Sequence, residues 1–294
     1  MRFPVKLNRT FWPKSLAKIL PSADDTRVLC HGKVNEKTFS IAVSTFKFGA
    51  TFKSTQKARF PLTILELALL QYEQNPIVID IGASDGITSL DVMQAIPFEK
   101  YYVTDLNIDV YYQDSGNTTW FYDEKGICIL MTTDKWVVYP ETTGVIFPFD
   151  KISQAVFSHA PKWESDAARL RLINPVLLAY KENNFLIEKH NVLEPWPHEK
   201  AHLIIAANIL NKSYFTTSEI KQALKNMLAA LDGSGRIAII ENRKNEQATI
   251  FKFNAGNVSV EKKVNGGVEI ENLALNSFGA NNTLMSANKA AEQV

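Results

Sequence analysis

One segment limits the fold more than any other: residues 77–86, an apolar run that ends in two closely spaced glycines. The run Ile77–Ile81 is typical of a strand buried on both faces, as strands of parallel sheets are. Gly82 and Gly86 then predict a tight turn into a helix, where small residues let backbone N–H groups approach a ligand. The segment therefore predicts an α/β fold with a ligand-binding turn.

Two carboxylates accompany this turn. Asp80 stands at its mouth, and Asp105 ends the next predicted strand, 19 residues after Gly86. A carboxylate in the position of Asp105 can accept hydrogen bonds from ribose hydroxyls. The negative charge of Asp80 repels phosphate and attracts a cation. Neither a G-x-G-x-x-G fingerprint nor a G-x-x-x-x-G-K-[ST] loop is present. The pattern indicates a nucleoside without pyrophosphate that carries a cationic amino-acid end, which describes S-adenosylmethionine.

Five segments, in order along residues 76–241, resemble motifs of the class I S-adenosylmethionine-dependent methyltransferases. Two depart from the family pattern: Ser84 replaces the middle glycine of the first motif, and Asp232 and Ser234 replace usual residues of the L-x-P-G-G turn. The segments are Asp80–Gly86, Asp105, Phe185–Pro197, His202–Leu210 and Leu231–Glu241.

The resemblance implies a Rossmann-like class I methyltransferase fold: a mostly parallel seven-stranded sheet with a C-terminal antiparallel hairpin. It also implies S-adenosylmethionine as cofactor and S-adenosylhomocysteine as product. In this interpretation the turn holds the aminoacyl end, Asp105 the ribose, and the later loops the adenine and the methionine chain. The implied cofactor-binding residues are Asp80, Gly82, Ala83, Ser84, Gly86, Asp105, Leu106, Asn191, Val192, Asn208 and Leu210.

Catalytic residues are harder to identify. Transfer to a hydroxyl generally needs a base, whereas transfer to a carboxylate does not. His159 and Tyr214 are the candidates. For His159 an ordinary surface-loop histidine is the favoured explanation, and Tyr214 could orient a nucleophile or simply pack. Cys30 and Cys128 are isolated, with no C-x-x-C spacing, and no metal site is expected.

The periodicity of the chain predicts three regions: an N-terminal extension at 1–60, a methyltransferase domain at 61–279 and a flexible tail at 280–294. The extension contains β-rich runs at 28–31 and 38–43. In the domain, strands are expected at 77–81, 101–104, 185–189, 202–206 and 236–241, with a hairpin at 248–253 and 258–264. Helices are expected from Pro61 and at 86–96, 165–182 and 217–231.

Residues 108–164 form an unusually long insertion after the second predicted strand, where ~2–6 residues are typical. The insertion carries eleven aromatic residues. It predicts a hairpin that turns at 123–126 and a third strand at 135–140. Two roles fit: a substrate lid, or a β-rich appendage that packs a separate core or forms a homodimer contact.

The bulk properties limit the partners. A net charge of +1 gives no general attraction to nucleic acid, and the [DN]-P-P-[YF] motif of nucleic-acid amino-methylating enzymes is absent at 208–211. No run approaches the ~20 apolar residues of a membrane span. The basic N-terminus fits an ordinary amphipathic cover better than a membrane-surface helix. We therefore expect a cytoplasmic protein.

The favoured function is O-methylation of a small molecule or pathway intermediate. One alternative is a cofactor-binding regulatory or partner subunit with little turnover. Another is a protein carboxyl methyltransferase, because residues 190–193 and 207–210 are similar to chemotaxis-receptor methyltransferases. Immediately before Asn208, however, Ala206 and Ala207 replace the Cys-Arg pair of that group.

Overall fold

Two seven-stranded sheets organise the chain in the computed structural model. Contacts divide the chain into two units. We call Met1–Gln56 with Asn107–Ala179 the antiparallel unit, and Lys57–Leu106 with Tyr180–Val294 the parallel unit. The structure describes residues 4–9, 21–32, 34–49, 51–53, 59–141, 147–163, 166–181, 184–254 and 256–279.

The elements follow one another along the chain, with strands in both units. The strands are β1 (Val5–Asn8), β2 (Ser22–Ala23), β3 (Lys47–Phe48), β4 (Thr51–Phe52), β5 (Ile77–Ile81), β6 (Lys100–Asp105), β7 (Asp109–Ser115), β8 (Thr118–Tyr122), β9 (Cys128–Thr132), β10 (Trp136–Val138), β11 (Ala168–Arg171), β12 (Phe185–Lys189), β13 (Ala201–Ala207), β14 (Leu231–Asn242), β15 (Glu246–Asn254) and β16 (Asn257–Val264). The helices are α1 (Glu36–Val43), α2 (Pro61–Leu69), α3 (Ile87–Ala95), α4 (Phe149–Ser158), α5 (Pro175–Leu178), α6 (Thr217–Ala230) and α7 (271–279).

The sheet of the parallel unit has the order β12-β6-β5-β13-β14-β15-β16. The first five strands are parallel, and β15 and β16 form an antiparallel hairpin after β14. Numbered from β5, the parallel strands run 3-2-1-4-5, the order of a Rossmann-type sheet. The predicted fold class is confirmed, and the predicted strands and C-terminal hairpin lie where the sequence placed them.

Alternation along the strands decides what each face of this sheet packs against. On one face, strand residues such as Ile79 and Ile239 share a buried core with Leu224 of α6 and Phe278 of α7. Asp80, one residue from Ile79, points to the other face and contacts α3. The helix α6 begins with a capping box formed by Thr216 and Glu219.

The sheet of the antiparallel unit combines two distant parts of the sequence. Its order is β11-β7-β8-β9-β10-β1-β2, so the N-terminal strand β1 pairs with β10 of the insertion, Val5 opposite Val138. The predicted hairpin at 123–126 and the third strand are both present. The extension and the insertion therefore build one sheet. The boundaries proposed at 60 and 279, and a lid role for the insertion, stay predictions.

The prediction of two β-rich runs in the extension, at 28–31 and 38–43, is wrong. Residues Thr26–Leu29 form a 3₁₀ turn, and Glu36–Val43 form α1. Asn35 caps α1, because its side-chain oxygen accepts a hydrogen bond from the Thr38 backbone N–H at 2.9 Å. The cap and the burial of one helix face outweigh the β propensity of the run.

The helix predicted over 165–182 is also wrong. Within the described residues of this range, Ala168–Arg171 pair with β7 as strand β11, and only Pro175–Leu178 are helical. Asn174 and Pro175 start this short helix, since proline disfavours helical backbone in the residue before it. Pairing with a strand some 60 positions away overrides the local periodicity.

Across the described residues, no helix combines the length and the apolar character that crossing a bilayer requires. The predicted flexible tail at 280–294 lies outside the described residues, as does most of the basic N-terminal segment.

Candidate ligand-binding site at the carboxyl edge of the parallel sheet

The strand order of the parallel unit places its candidate site. The order reverses between β5 and β13, which are neighbours in the sheet. Open α/β sheets bind ligands outside the carboxyl ends of their strands at such a switch point. Residues 82–86 follow β5 and residues 208–215 follow β13, so both loops lie at this edge.

The turn after β5 has an unusual backbone. Gly82, Ser84 and Gly86 all have positive φ, at 68°, 60° and 81°. A Cβ at Gly82 would lie 2.5 Å from Cδ1 of Ile209, in the loop after β13. Glycine is therefore required for two reasons: the left-handed backbone and the close approach of the second loop.

Asp105, at the end of β6, is hydrogen-bonded to this turn. Its Oδ2 accepts a hydrogen bond from the Ser84 backbone N–H at 2.9 Å. The Ala83 N–H donates to the Thr104 carbonyl oxygen at 2.8 Å, and the Thr104 hydroxyl donates to the Asp80 carbonyl oxygen at 2.9 Å. The half-buried Asp105 carboxylate thus lies directly beside the turn, as the sequence predicted.

Asp80 lies beneath the turn and is 1% exposed. Its Oδ2 accepts hydrogen bonds from the Ser89 hydroxyl at 2.6 Å and the Tyr101 hydroxyl at 3.3 Å. Burial raises the pKa of Asp80 to about 7; the two hydroxyls oppose this shift and the charge of Asp105 adds to it. Within the described residues no lysine or arginine pairs with this acid, so its contacts are with neutral donors.

Acidic residues are concentrated at the turn. Asp80, Asp85 and Asp105 lie in it or beside it, no lysine or arginine occurs between residues 77 and 99, and Lys189 of β12 is opposite Asp105 in the sheet. Asp85 is buried and accepts a hydrogen bond from the Ile87 N–H at the start of α3. This edge favours a cationic ligand over a phosphate.

The loop after β13 is anchored by Asn208. Its φ is 57°, its N–H donates to the Ile240 carbonyl oxygen, and its side-chain oxygen accepts from the Asn242 N–H at 2.7 Å. Leu210 is 2% exposed and belongs to the core shared with α6. The side-chain oxygen of Asn208 is therefore used to hold the loop against β14.

The loop after β12 holds the residues predicted at adenine. The Asn191 side chain accepts from the Leu193 N–H and donates to Glu194, which is a local turn contact. Val192 is 4% exposed and lines a small cavity against α6, whereas Leu106 is 47% exposed. The structure thus gives the two predicted adenine neighbours very different degrees of burial.

The two predicted catalytic residues belong to different units. His159 follows α4 in the antiparallel unit, and its Nδ1 lies 2.8 Å from the Ala155 carbonyl oxygen and 3.1 Å from the Ser158 hydroxyl. Tyr214 is half-buried in the turn after β13, where its N–H donates to the Asn211 carbonyl oxygen. The Nδ1 atom of His159 therefore contacts the C-terminal end of α4.

A further acid at this edge was missed by sequence reasoning. Glu241, near the end of β14, is 4% exposed. Its Oε2 accepts from the Arg243 Nε at 3.0 Å and the Glu269 N–H at 3.4 Å, while its Oε1 is buried and has no hydrogen-bond partner among the described residues. An acid that ends an apolar strand was its only sequence signal.

Comparison with known proteins gives a limited result. No protein-family model matches the chain, and no curated protein matches it. Solved structures match at low similarity. The N-methyltransferase NodS from Bradyrhizobium japonicum WM9, solved with S-adenosylhomocysteine, has 12% identity and a TM-score of 0.30 over 61% of this chain and 58% of NodS. YcgJ from Bacillus subtilis has 13% identity and a TM-score of 0.31 over 62% of this chain and 50% of YcgJ.

A third match, LepI in complex with S-adenosylmethionine, has 17% identity and a TM-score of 0.31 over 75% of this chain and 39% of LepI. The chain thus spans between about two fifths and three fifths of the length of these proteins. Similarity at this level does not assign an activity, and the functional conclusion depends on the geometry of the site.

Proposed function

We propose that the parallel unit binds S-adenosylmethionine at the carboxyl edge of β5 and β6 and transfers its methyl group to an acceptor. One observation carries the proposal: the Asp105 carboxylate is bonded to the Ser84 N–H of a glycine-bearing turn, at the switch point of a Rossmann-type sheet. The acidic surroundings support a cationic nucleoside ligand and oppose a dinucleotide.

In the proposed complex, Asp105 accepts hydrogen bonds from the ribose hydroxyls. The backbone of Gly82, Ala83, Ser84 and Gly86 lies along the aminoacyl end, and Asp80 attracts its ammonium group from beneath the turn. The loops after β6, β12 and β13 then contribute Leu106, Asn191 and Val192 to the adenine, and Asn208 and Leu210 to the methionine chain.

The proposed reaction is a single in-line displacement. A lone pair of the acceptor forms a bond to the methyl carbon, the carbon–sulfur bond breaks, and the sulfonium becomes the neutral thioether of S-adenosylhomocysteine. The protein contributes mainly by positioning the reactants and excluding water. The favoured acceptor is an oxygen atom of a small molecule, and Tyr214, in the loop after β13, is a candidate to orient it.

A subunit that binds the cofactor without turnover is the second candidate. It is favoured because no base is assigned within the parallel unit: His159, the histidine predicted to act at the site, belongs to the antiparallel unit. Incubation with methyl-labelled S-adenosylmethionine and pools of small molecules and proteins separates the two. Labelled product supports the enzyme; base-labile label on protein indicates carboxyl methylation; binding without any label supports the subunit.

Calorimetry tests the binding step. The chain should bind S-adenosylhomocysteine and fail to bind NAD⁺. Asp105→Ala should weaken S-adenosylhomocysteine binding by ~1.5–3 kcal/mol, roughly tenfold to more than a hundredfold, because a charged hydrogen-bond acceptor is lost.

Asp232→Ala is the matched control, because Asp232 is at the start of β14, far along the strand from its carboxyl end. The Asp232→Ala variant should bind S-adenosylhomocysteine with the same affinity as the unaltered chain. Equal affinities in all three proteins, or binding of NAD⁺ instead, would contradict the assignment.

A further inference from the structure

The antiparallel unit contains a lysine in an unusual environment. Nζ of Lys6, in β1, lies 4.7 Å from the ring centroid of Phe52 and 4.9 Å from that of Tyr139. The two rings meet edge to face, with centroids 5.9 Å apart. Both are within the distance at which an ammonium group is attracted by an aromatic face.

Over the described residues Lys6 forms no ion pair, although its neighbour Lys47 pairs with Glu141. Nζ of Lys47 lies 5.6 Å from the same Phe52 ring. Lys6 therefore differs from Lys47, because its contacts among the described residues are with aromatic rings and not with a carboxylate.

A second acid near these rings is Asp24, whose charge acts on Tyr139 and which pairs with Arg9 at 3.2 Å. Residues 1–3, 10–20, 50, 54–58 and 142–146 contain no aspartate or glutamate. Burial lowers the pKa of Lys6, as expected for a partly desolvated cation whose contacts are aromatic. An anion that paired with Lys6 would recover the electrostatic energy that burial has cost.

Lys6, Phe52 and Tyr139 form a cluster whose two rings differ in burial and in hydrogen bonding. Tyr139 is 2% exposed, and its hydroxyl donates to the Thr45 carbonyl oxygen at 2.8 Å. Its own carbonyl oxygen accepts from the Ser153 hydroxyl at 2.6 Å. Phe52, in contrast, is 39% exposed. The cluster thus has a fixed inner ring and an outer ring that is accessible to solvent.

We propose that Lys6, Phe52 and Tyr139 form a binding site for a small aromatic anion. The Lys6 ammonium pairs with its carboxylate or phosphate group, and Phe52 packs against its planar part. The site lies entirely within the antiparallel unit, and it does not depend on the function proposed for the parallel unit.

Fluorine NMR titrations of the full chain test this proposal. The probes are 4-fluorobenzoate, 4-fluorophenyl phosphate and, as a neutral control, 4-fluorobenzyl alcohol. We expect saturable binding of at least one anion and none of the alcohol; the stronger anion identifies the carboxylate or the phosphate as the preferred group. Lys6→Met, which keeps the length of the side chain, should weaken binding by about tenfold or more.

Two further variants keep the result interpretable. Lys151→Met removes an exposed charge from α4 of the same unit and should bind like the unaltered chain. Phe52→Leu keeps Lys6 and should weaken the fluoroaryl anions while leaving inorganic phosphate unaffected. Failure of both anions to bind saturably, or equal binding by Lys6→Met, would overturn the proposal.

Discussion

The two units present opposite kinds of uncompensated charge. In the parallel unit, the buried acid Asp80 accepts hydrogen bonds from two hydroxyls and from no cationic group of the described residues, and its pKa is raised to about 7. In the antiparallel unit, the base Lys6 contacts aromatic rings, and its pKa is lowered. Burial moves both groups toward the neutral form, which is how proteins tolerate charges that lack an ionic partner.

Two other buried charges form ion pairs. Arg236 is 8% exposed and forms two hydrogen bonds with Glu261, at 2.6 and 3.0 Å. Lys47, also 8% exposed, pairs with Glu141. Asp80 and Lys6, in contrast, have no ionic partner among the described residues. This contrast between the units motivates the cation site and the anion site proposed above.

Asp80→Asn should produce the largest effect. Because folding raises the pKa of Asp80, the folded chain retains a proton that the unfolded chain releases between pH 4 and pH 7. Stability is therefore full below pH 4 and falls as the pH rises to about 7, by up to ~4 kcal/mol. Asparagine does not ionise, so the variant lacks this pH-dependent loss. It should therefore be more stable than the unaltered chain at pH 8 but not at pH 4. Urea unfolding at both pH values measures the difference in unfolding free energy between the two proteins. A difference that does not change with pH would contradict the raised pKa of Asp80.

Gly82→Ala should rank second. The added Cβ meets Ile209 at 2.5 Å on a backbone with φ of 68°, so we expect a loss of roughly 3 kcal/mol. Gly116→Ala is the control, because Gly116 has φ of 60° but nothing within 4 Å of the added atom; its cost should be about 1 kcal/mol. Urea unfolding that gave equal costs would show that the loops after β5 and β13 are not packed as described.

Glu141→Gln should have the smallest of the three effects. It leaves the buried Lys47 without its carboxylate, at a cost of roughly 2 kcal/mol. Glu269→Gln breaks exposed pairs, in which Glu269 is 41% exposed, and should cost less than about 1 kcal/mol. Thermal unfolding compares the two. If Glu141→Gln were no more costly than Glu269→Gln, the contrast between paired and unpaired lysines would lose its basis.

The parallel unit could be predicted from sequence because its strands are short apolar runs whose neighbours in the sheet follow by regular crossovers. Ile77–Ile81 and Ala201–Ala207 are examples, since both faces of each strand are covered. The antiparallel unit could not be predicted in the same way. Its sheet joins Val5 to Val138, and no local pattern encodes a pairing across more than a hundred positions. The run that became β11 was assigned wrongly for this reason. The error at α1 has a different cause, because the Asn35 cap and the burial of one helix face outweigh β propensity there.

The candidate site shows the same division. The sequence predicted that Asp105 lies beside the glycine turn, because consecutive parallel strands end at one edge of a sheet. It did not predict that Asp80 is fully buried against Ser89 and Tyr101, nor that Asn208 is used to anchor its loop. Those contacts depend on side-chain directions, which spacing alone does not determine. Glu241 and Lys6 were likewise visible only once the strands were assembled.

A crystal structure with S-adenosylhomocysteine tests the central claim most directly. The account predicts the nucleoside at the carboxyl edge of β5 and β6, with its ribose hydroxyls within hydrogen-bond distance of Asp105 and its ammonium above Asp80. A ligand bound elsewhere, or an Asp105 carboxylate that faces away from the ribose, would contradict it.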